Sequence, residues 1–330
     1  MKMLDSIPDA IQAIQQGEVI IVVDDEDREN EGDFLVAARH ATPEVVNFMA
    51  THGRGLICAP LVEERCDELE LELMVPANNA AFETPFTISV DLLGNGCTTG
   101  ISAQDRAKTI QALIHPKTQP DELGRPGHIF PLRARKGGVL RRAGHTEAAI
   151  DFSRLAGFEP AGVIVEIMNE DGTMARLPEC RKLADKFNLK LVSIADLIEH
   201  RLQTETLIER KAEATIQTAF GPFTAVVFEQ MTNQVEHLAL VKGTWNDGDE
   251  VPIRVHSTSM LGDVFQITDF GKGPMLHAAM QKMSEIGKGA IIYINKLREG
   301  GGLFDELQAY KNFKESNTSQ NAPMDRKDYG

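Results

Sequence analysis

The chain has 330 residues, 42% of them hydrophobic and 25% charged, which are ordinary proportions for a soluble globular protein at a length that predicts two domains. A net charge of −15 argues against nucleic acid as the main partner, so an anionic substrate would need a local cation, an arginine cluster or a helix N-terminus to overcome the field. No apolar stretch approaches the length of a membrane span and residues 1–14 lack the apolar core of a secretory signal, while Cys58, Cys66, Cys97 and Cys180 are scattered without a CxxC pair, which argues against a disulfide framework or a zinc site and for a reducing cytosol.

In chain order, an amphipathic helix is expected over 7–16, with Ser6 as cap and Pro8 in its first turn. The β-branched run 19–23 predicts a buried strand, followed by an acidic loop and a second strand at 34–38. Pro43 opens a helix to 51, and 53–60 reads as a turn and a short strand. A strand at 86–90 precedes a helix at 103–114, and 125–131 reads as a rigid loop. A strand at 162–168, a helix at 177–187, a strand at 189–193 and a helix at 195–202 complete the first region. This irregular alternation predicts a layered α/β (α+β) domain on a mixed sheet. A charged helical linker is expected over 203–214, and then a smaller α/β domain: strands at 223–228, 237–241, 251–256 and 264–267, a helix at 274–286 and a strand at 290–294. From Lys311 onward the polar composition predicts disorder.

The densest chemistry lies directly after the first strand. The run Asp24-Asp25-Glu26-Asp27-Arg28-Glu29-Asn30-Glu31-Gly32-Asp33 brings seven acids and one arginine to the end of a core strand, where oxygen ligands suit a hard cation of the Mg²⁺ type. Acidic runs are more often solvated loops, but this one abuts the core and is interrupted by Arg28 and Gly32. A second constellation, Arg141-Arg142-Ala143-Gly144-His145-Thr146-Glu147, precedes a helical pattern over 147–156. With Thr146 as cap, that helix N-terminus would offer N–H groups to an anion beside Arg142. His145 alone reads equally as a cap or a surface histidine. Thr98 and Thr99 also stand before a helix, His128 lies in the 125–131 segment, and Glu166 interrupts an apolar strand either as an outward-facing residue or as a pocket acid.

The segments DDEDRENEGD, TTGISAQDR, RPGHIFPL, RRAGHTEAAIDFSRLAG and EIMNEDGTMARLPE, in this order, closely resemble the 3,4-dihydroxy-2-butanone 4-phosphate synthase family, which converts ribulose 5-phosphate to formate and the four-carbon precursor of riboflavin. The resemblance runs over 7–201 with no motif position broken. It implies that Glu29 and His145 bind Mg²⁺ or Mn²⁺. It also implies that Arg28, Glu29, Asp33, Glu166 and the loop Arg142, Ala143, Gly144, His145 and Thr146 contact the sugar phosphate. His128 and Glu166 are implied to be essential for turnover, and Glu31 and Cys58 match further active-site positions. A homodimer with active sites near its interface is implied as well. The chemistry agrees: a cation chelating oxygens beside a carbonyl stabilises an enediolate once a base removes the neighbouring proton. Asp33 and Glu31 are candidates for that base, Glu166 for a later step, and Arg142 with Thr98 and Thr99 for holding the phosphate. The rival reading is a sugar-phosphate binding or isomerising enzyme of another kind, which would release no formate.

Residues 252–257 (PIRVHS), 262–265 (GDVF) and 276–280 (LHAAM) resemble GTP cyclohydrolase II. That family carries three cysteines for a catalytic zinc around these anchors, and Ser259, Phe270 and Lys272 stand in their places here. The segment 298–303 (REGGGL) departs from the family, and the family's C-terminal portion is expected to be largely absent. The resulting expectation is a synthase domain at 1–202, a linker at 203–217, a degenerate, truncated cyclohydrolase-like domain at 218–310 without zinc, and a tail at 311–330. His256 and His277 read as scaffold residues. The second domain is expected to be a binding module or a structural piece; the alternative is a bifunctional protein with residual GTP binding or cyclohydrolase activity.

Overall fold

The computed structural model describes residues 3–268, 273–296 and 302–318. It divides into two compact units, Met1–Glu205 and Thr206–Gly330.

The first unit runs α1 (Ile7–Gln15), β1 (Ile20–Val23), β2 (Gly32–Ala37), α2 (Pro43–Gly53), β3 (Cys58–Val62), α3 (Glu63–Glu68), β4 (Val90–Leu92), α4 (Ala103–Ile114), β5 (Leu123–Ala134), α5 (His145–Leu155), β6 (Gly162–Glu166), α6 (Leu177–Phe187), β7 (Leu191–Ser193) and α7 (Ile194–Thr204). Its strands form one mixed sheet in the order β4-β5-β3-β6-β2-β1-β7. β3 is parallel to β5 and β1 to β7, and the remaining pairs are antiparallel.

Both faces of this sheet are buried, which explains why its strands read as unbroken apolar runs. Alternate residues serve two different cores. Ile21, Val23, Phe34, Val36, Val163 and Val165 pack with α2, α4 and α6 through Val46, Met49, Ile110, Leu113 and Ala184. Ile20, Val22, Leu35, Ala37 and Ile164 pack with α1, α5 and α7 through Ile14, Phe152 and Leu197. The result is three layers, helices on each side of a mixed sheet, as the α/β expectation had it. Ser6 caps α1 by accepting from the Asp9 amide at 3.3 Å, and Thr42 caps α2 in the same way from Val45. Gly32 is required by close packing: a Cβ there would lie 2.3 Å from the Cys180 sulfur.

The second unit runs β8 (Ile208–Thr218), β9 (Gly221–Gln230), β10 (Val235–Lys242), β11 (Ile253–Ser257), α8 (Gly273–Ile286), β12 (Gly289–Ile294) and α9 (Leu303–Thr318), with sheet order β11-β12-β10-β9-β8. Its core is small: Leu276, Met280 and Met283 of α8 pack on Phe223, Leu240 and Ile291.

Five local expectations are corrected. The segment 203–214 is not a helical linker; α7 ends at Thr204 and β8 follows, paired with β9. Residues 125–131 are not a loop but belong to β5, a strand of 12 residues. At 86–90 only isolated bridges form before β4 begins at Val90. Met260–Val264 is a single π-helical turn where a strand over 264–267 was expected. α9 continues to Thr318, past the point where composition predicts disorder, because Leu303 to Thr318 can close the helical ladder; residues 319–330 lie outside the described residues.

α7 is tied to the layer beneath it by one buried ion pair. Arg201, 5% exposed, donates to Asp151 of α5 at 2.8 Å, to the Gly137 carbonyl at 2.8 Å and to Glu205. Burial raises the Asp151 carboxyl's pKa even with this partner, so the arginine is needed to keep its charge. Arg201→Ala leaves that buried carboxylate with only the partly exposed Arg154 at 3.6 Å and the Val139 amide at 2.8 Å, and should destabilise the first unit by about 3 kcal/mol in urea unfolding.

Candidate active site

β1 and β2 form an antiparallel hairpin closed at the pair Val23 and Gly32, and the acidic run is its loop. The loop is folded around the Asp24 side chain, which is fully buried. Its carboxylate accepts from Arg28 Nη1 at 2.8 Å, from the Glu29 amide at 3.1 Å and from the Glu31 amide at 2.8 Å. Arg28 also donates to Glu29 Oε2 at 2.8 Å. Arg176 clamps the far side of the loop, donating to the carbonyls of Glu29 and Asn30. Asn30 takes a left-handed backbone, φ 54°, which asparagine tolerates better than most residues. Asp25, Glu26 and Asp27 are left exposed, while Glu29 and Glu31 turn inward.

Sheet register places the next two acids. Asp33 of β2 lies opposite Glu166, the last residue of β6, and Cys58 at the start of β3 lies opposite Ile164. Glu166 is oriented by the Leu56 amide, which donates to its carboxylate at 2.8 Å. From the other side, α5 begins at His145 itself. Its N-cap is Gly144, not Thr146, because extended backbone at Gly144 already places the turn at His145. His145 Nε2 faces the Val22 carbonyl at 3.2 Å; a carbonyl only accepts, so Nε2 carries the proton and Nδ1 turns to Glu29 at 3.7 Å and Asp33 at 3.9 Å. Arg142 donates to the buried Glu147 at 2.7 Å.

Arg28, Glu29, Glu31, Asp33, Cys58, Arg142, His145, Thr146 and Glu166 together line one cavity of about 250 Å³, with Ala143 and Gly144 in the adjoining turn. Crowding sets its electrostatics. Burial, reinforced by Glu166, Glu29 and Glu31, outweighs His145 and pushes the Asp33 carboxyl up to about 7. Burial disfavours charge on His145, but Asp33, Glu29 and Asp24 outweigh it and raise its pKa to about 9. Burial and the Glu29 charge raise Glu31. Burial also opposes the Glu29 charge, yet His145 and Arg28 hold that carboxyl below its usual range. Burial pushes Cys58 well up, so its thiol stays neutral and is no thiolate nucleophile.

Three expected residues lie apart from this cavity. Thr98 gives its hydroxyl and amide to Asp105 at 2.8 and 3.1 Å, so it organises the start of α4. Thr99 stands beside it, and neither lines the cavity with Arg142. His128 pairs with Asp91 at 2.6 Å on the β4-β5 edge. Four contributors were missed from sequence. Asp24 sits inside the acidic run with nothing to distinguish it from its exposed neighbours. Phe82 and Thr84 line the cavity from a stretch without periodicity, and Phe86 lines it from the start of the expected strand, where nothing marked it as a site residue.

The donor set fits a divalent cation. Asp24, Glu29 and His145 form the one group among the described residues whose ligand atoms all lie within 4.8 Å of one another. Asp33 Oδ1 beside them is buried without a hydrogen-bond partner. Carboxylates and an imidazole are donors that Mg²⁺ or Mn²⁺ accepts.

In the second unit, Ser259 is absorbed into local structure. Its hydroxyl accepts from the Gly262 amide at 2.9 Å and contacts Glu306, while Asp263 bonds the Ser259 amide, His256 and Tyr293. Phe270, Lys272 and residues 298–301 lie outside the described residues.

Residues 8–200 match the family profile described as 3,4-dihydroxy-2-butanone 4-phosphate synthase, and residues 209–330 match GTP cyclohydrolase II. The chain is 58% identical to "Riboflavin biosynthesis protein RibBA" of Cytophaga hutchinsonii, over 99% of this chain and 82% of that protein. It is 48% identical to the protein of the same name from Bacillus mycoides, over 99% of this chain and 84% of the other. Among solved structures it is similar to RibBX, a two-domain 3,4-dihydroxy-2-butanone 4-phosphate synthase from A. baumannii, with a TM-score of 0.71 and 39% identity over 94% of this chain and 90% of that one. A 3,4-dihydroxy-2-butanone 4-phosphate synthase in complex with two magnesium ions matches at 45% identity and a TM-score of 0.59, over 61% of this chain and 98% of that one.

Proposed function

We propose, from the premise that this chain belongs to the 3,4-dihydroxy-2-butanone 4-phosphate synthase family, that its cavity converts D-ribulose 5-phosphate to L-3,4-dihydroxy-2-butanone 4-phosphate and formate. The protein is a synthase enzyme of riboflavin biosynthesis. The observation that carries the finer reading is the meeting of Glu29, Glu31, Asp33, Glu166 and His145 in one cavity with Arg28 and Arg142.

Arg142 and the first amides of α5 bind the phosphate, since a helix N-terminus of 11 residues and a guanidinium both favour an anion. Glu29 and His145 would hold Mg²⁺, or Mn²⁺, which when bound supplies polarisation of the sugar's carbonyl and hydroxyl oxygens. Asp33 takes the first proton: it is buried in the cavity beside His145 and its Oδ1 is left without a hydrogen-bond partner, free to accept one. Glu166, its register partner on β6, serves a later transfer. Cys58 contributes a neutral wall.

His128 is implied by family resemblance to act, and Thr98 and Thr99 are expected from their place before a helix to help hold the phosphate, yet none of the three lines this cavity. We infer a homodimer in which a second copy brings them to the cavity. The second unit is catalytically silent: Ser259, Phe270 and Lys272 offer no zinc-binding sulfur. The similarity of nearly the whole chain to a protein described as a two-domain synthase favours this reading. The match of 209–330 to GTP cyclohydrolase II keeps residual GTP binding as the second reading.

EDTA should abolish formate release and Mg²⁺ restore it, and Glu29→Gln and His145→Ala should each lower kcat by about 100-fold or more. Full activity in metal-free protein would remove Glu29 and His145 as ligands. Mixing inactive His145→Ala and His128→Ala proteins after subunit exchange should recover part of the wild-type rate, because one site of a mixed dimer would be intact; no recovery rejects the shared site. Purified protein should carry no stoichiometric zinc by elemental analysis and leave GTP intact, and ring-opened pyrimidine would overturn the silent reading.

A further inference from the structure

The segment that carries Phe82 enters neither the sequence motifs nor the roles derived above, yet it touches both arginines of the cavity. The Phe82 ring lies under the Arg28 guanidinium, with Cζ 5.3 Å from the ring centroid. The Phe82 carbonyl accepts from Arg142 Nη2 at 3.0 Å. The turn that presents Phe82 is braced internally. Asn78 donates to the Thr84 carbonyl at 3.0 Å and accepts from the Ala80 amide at 3.0 Å, and Glu83 donates to the Ala80 carbonyl at 3.0 Å. Phe82 itself is 42% exposed, so its side chain is not held there by core packing.

Each arginine is therefore held from two sides. Carboxylates grip one side: Asp24 and Glu29 on Arg28, Glu147 on Arg142. Phe82 grips the other, with a ring face for one and a carbonyl dipole for the other. Both of its contacts are uncharged. In a cavity that already holds Glu29, Glu31, Asp33 and Glu166, a further carboxylate in this place would orient the arginines but repel an anion. An aromatic face and a carbonyl orient them without adding negative charge. Neither contact exhausts a guanidinium, which has five N–H donors.

We propose that Phe82 is a positioning residue for the substrate's phosphate, aligning Arg28 and Arg142 as a neutral clamp. This rests on the assignment of these arginines to a sugar phosphate. Steady-state formate release with full-length protein and Mg²⁺ tests it. Phe82→Ala should raise KM for ribulose 5-phosphate by about ten-fold while kcat stays within about two-fold and the melting temperature is unchanged. The inhibition constant for inorganic phosphate should rise by a similar factor, and Phe82→Trp should recover most of the loss. In an Arg28→Ala background, removing the Phe82 ring should cost much less than in the wild type, because the ring faces Arg28 while the contact to Arg142 is through the main-chain carbonyl that the substitution keeps. An unchanged KM, a loss confined to kcat, a full effect that persists without Arg28, or a matching fall in melting temperature would each overturn the clamp. Absence of formate from the wild type would instead reject the proposed reaction, and phosphate affinity measured by calorimetry would still decide for or against Phe82.

Discussion

Four carboxylates, those of Glu29, Glu31, Asp33 and Glu166, converge on a cavity of about 250 Å³, and the arrangement around them exists to hold like charges together. Left to themselves they would neutralise or move apart. His145 is the main counter-charge, and its pKa of about 9 records how strongly Asp33, Glu29 and Asp24 favour its charged form over the cost of burial. Asp33, pushed up to about 7, records the opposite side of the same balance. A cation held by Glu29 and His145 would take the place of the proton on His145 Nδ1 and supply the counter-charge in its stead.

That concentration of charge depends on rigid support. The acids sit at the ends of strands whose two faces feed separate apolar cores, so neither β2 nor β6 can shift by a residue without turning Asp33 or Glu166 out of the cavity. The hairpin loop has no such support and is held by polar contacts instead: Asp24 beneath it, Arg176 beside it, Arg28 across it. Gly32 gives the loop its base by letting the strand pass against Cys180.

The two units invest differently in stability. The first buries both faces of a seven-stranded sheet, whereas the second covers part of a five-stranded sheet with α8 and leaves β8 exposed along nearly its whole length. In the second unit His256, Asp263, Tyr293, Ser259 and Glu306 are joined in one polar cluster, with the His256 Nδ1 buried and left without a hydrogen-bond partner.

The sequence by itself determined the elements whose signals are local. α4 and α6 have the bounds that periodicity and caps predict, α1 starts at Ser6 and Pro8 as expected, and the run before the acidic loop is a buried strand. Motif order was enough to name the family and to select most of the residues that meet in the cavity. Only the tertiary structure decided which acids of the run turn inward, because a loop has no period and Asp24 gains its role from amides folded around it. Only the structure separated Thr98, Thr99 and His128 from Arg142, since distance between strands β4, β5 and the start of α5 is set by sheet order. The same holds for β8, whose Glu, Arg, Lys and Ala content favours a helix: its extended form comes from hydrogen bonds to β9, a partner that local propensity cannot weigh. Phe82 is the limiting case, a lone aromatic in an irregular stretch whose meaning lies wholly in the two arginines that the fold brings to it.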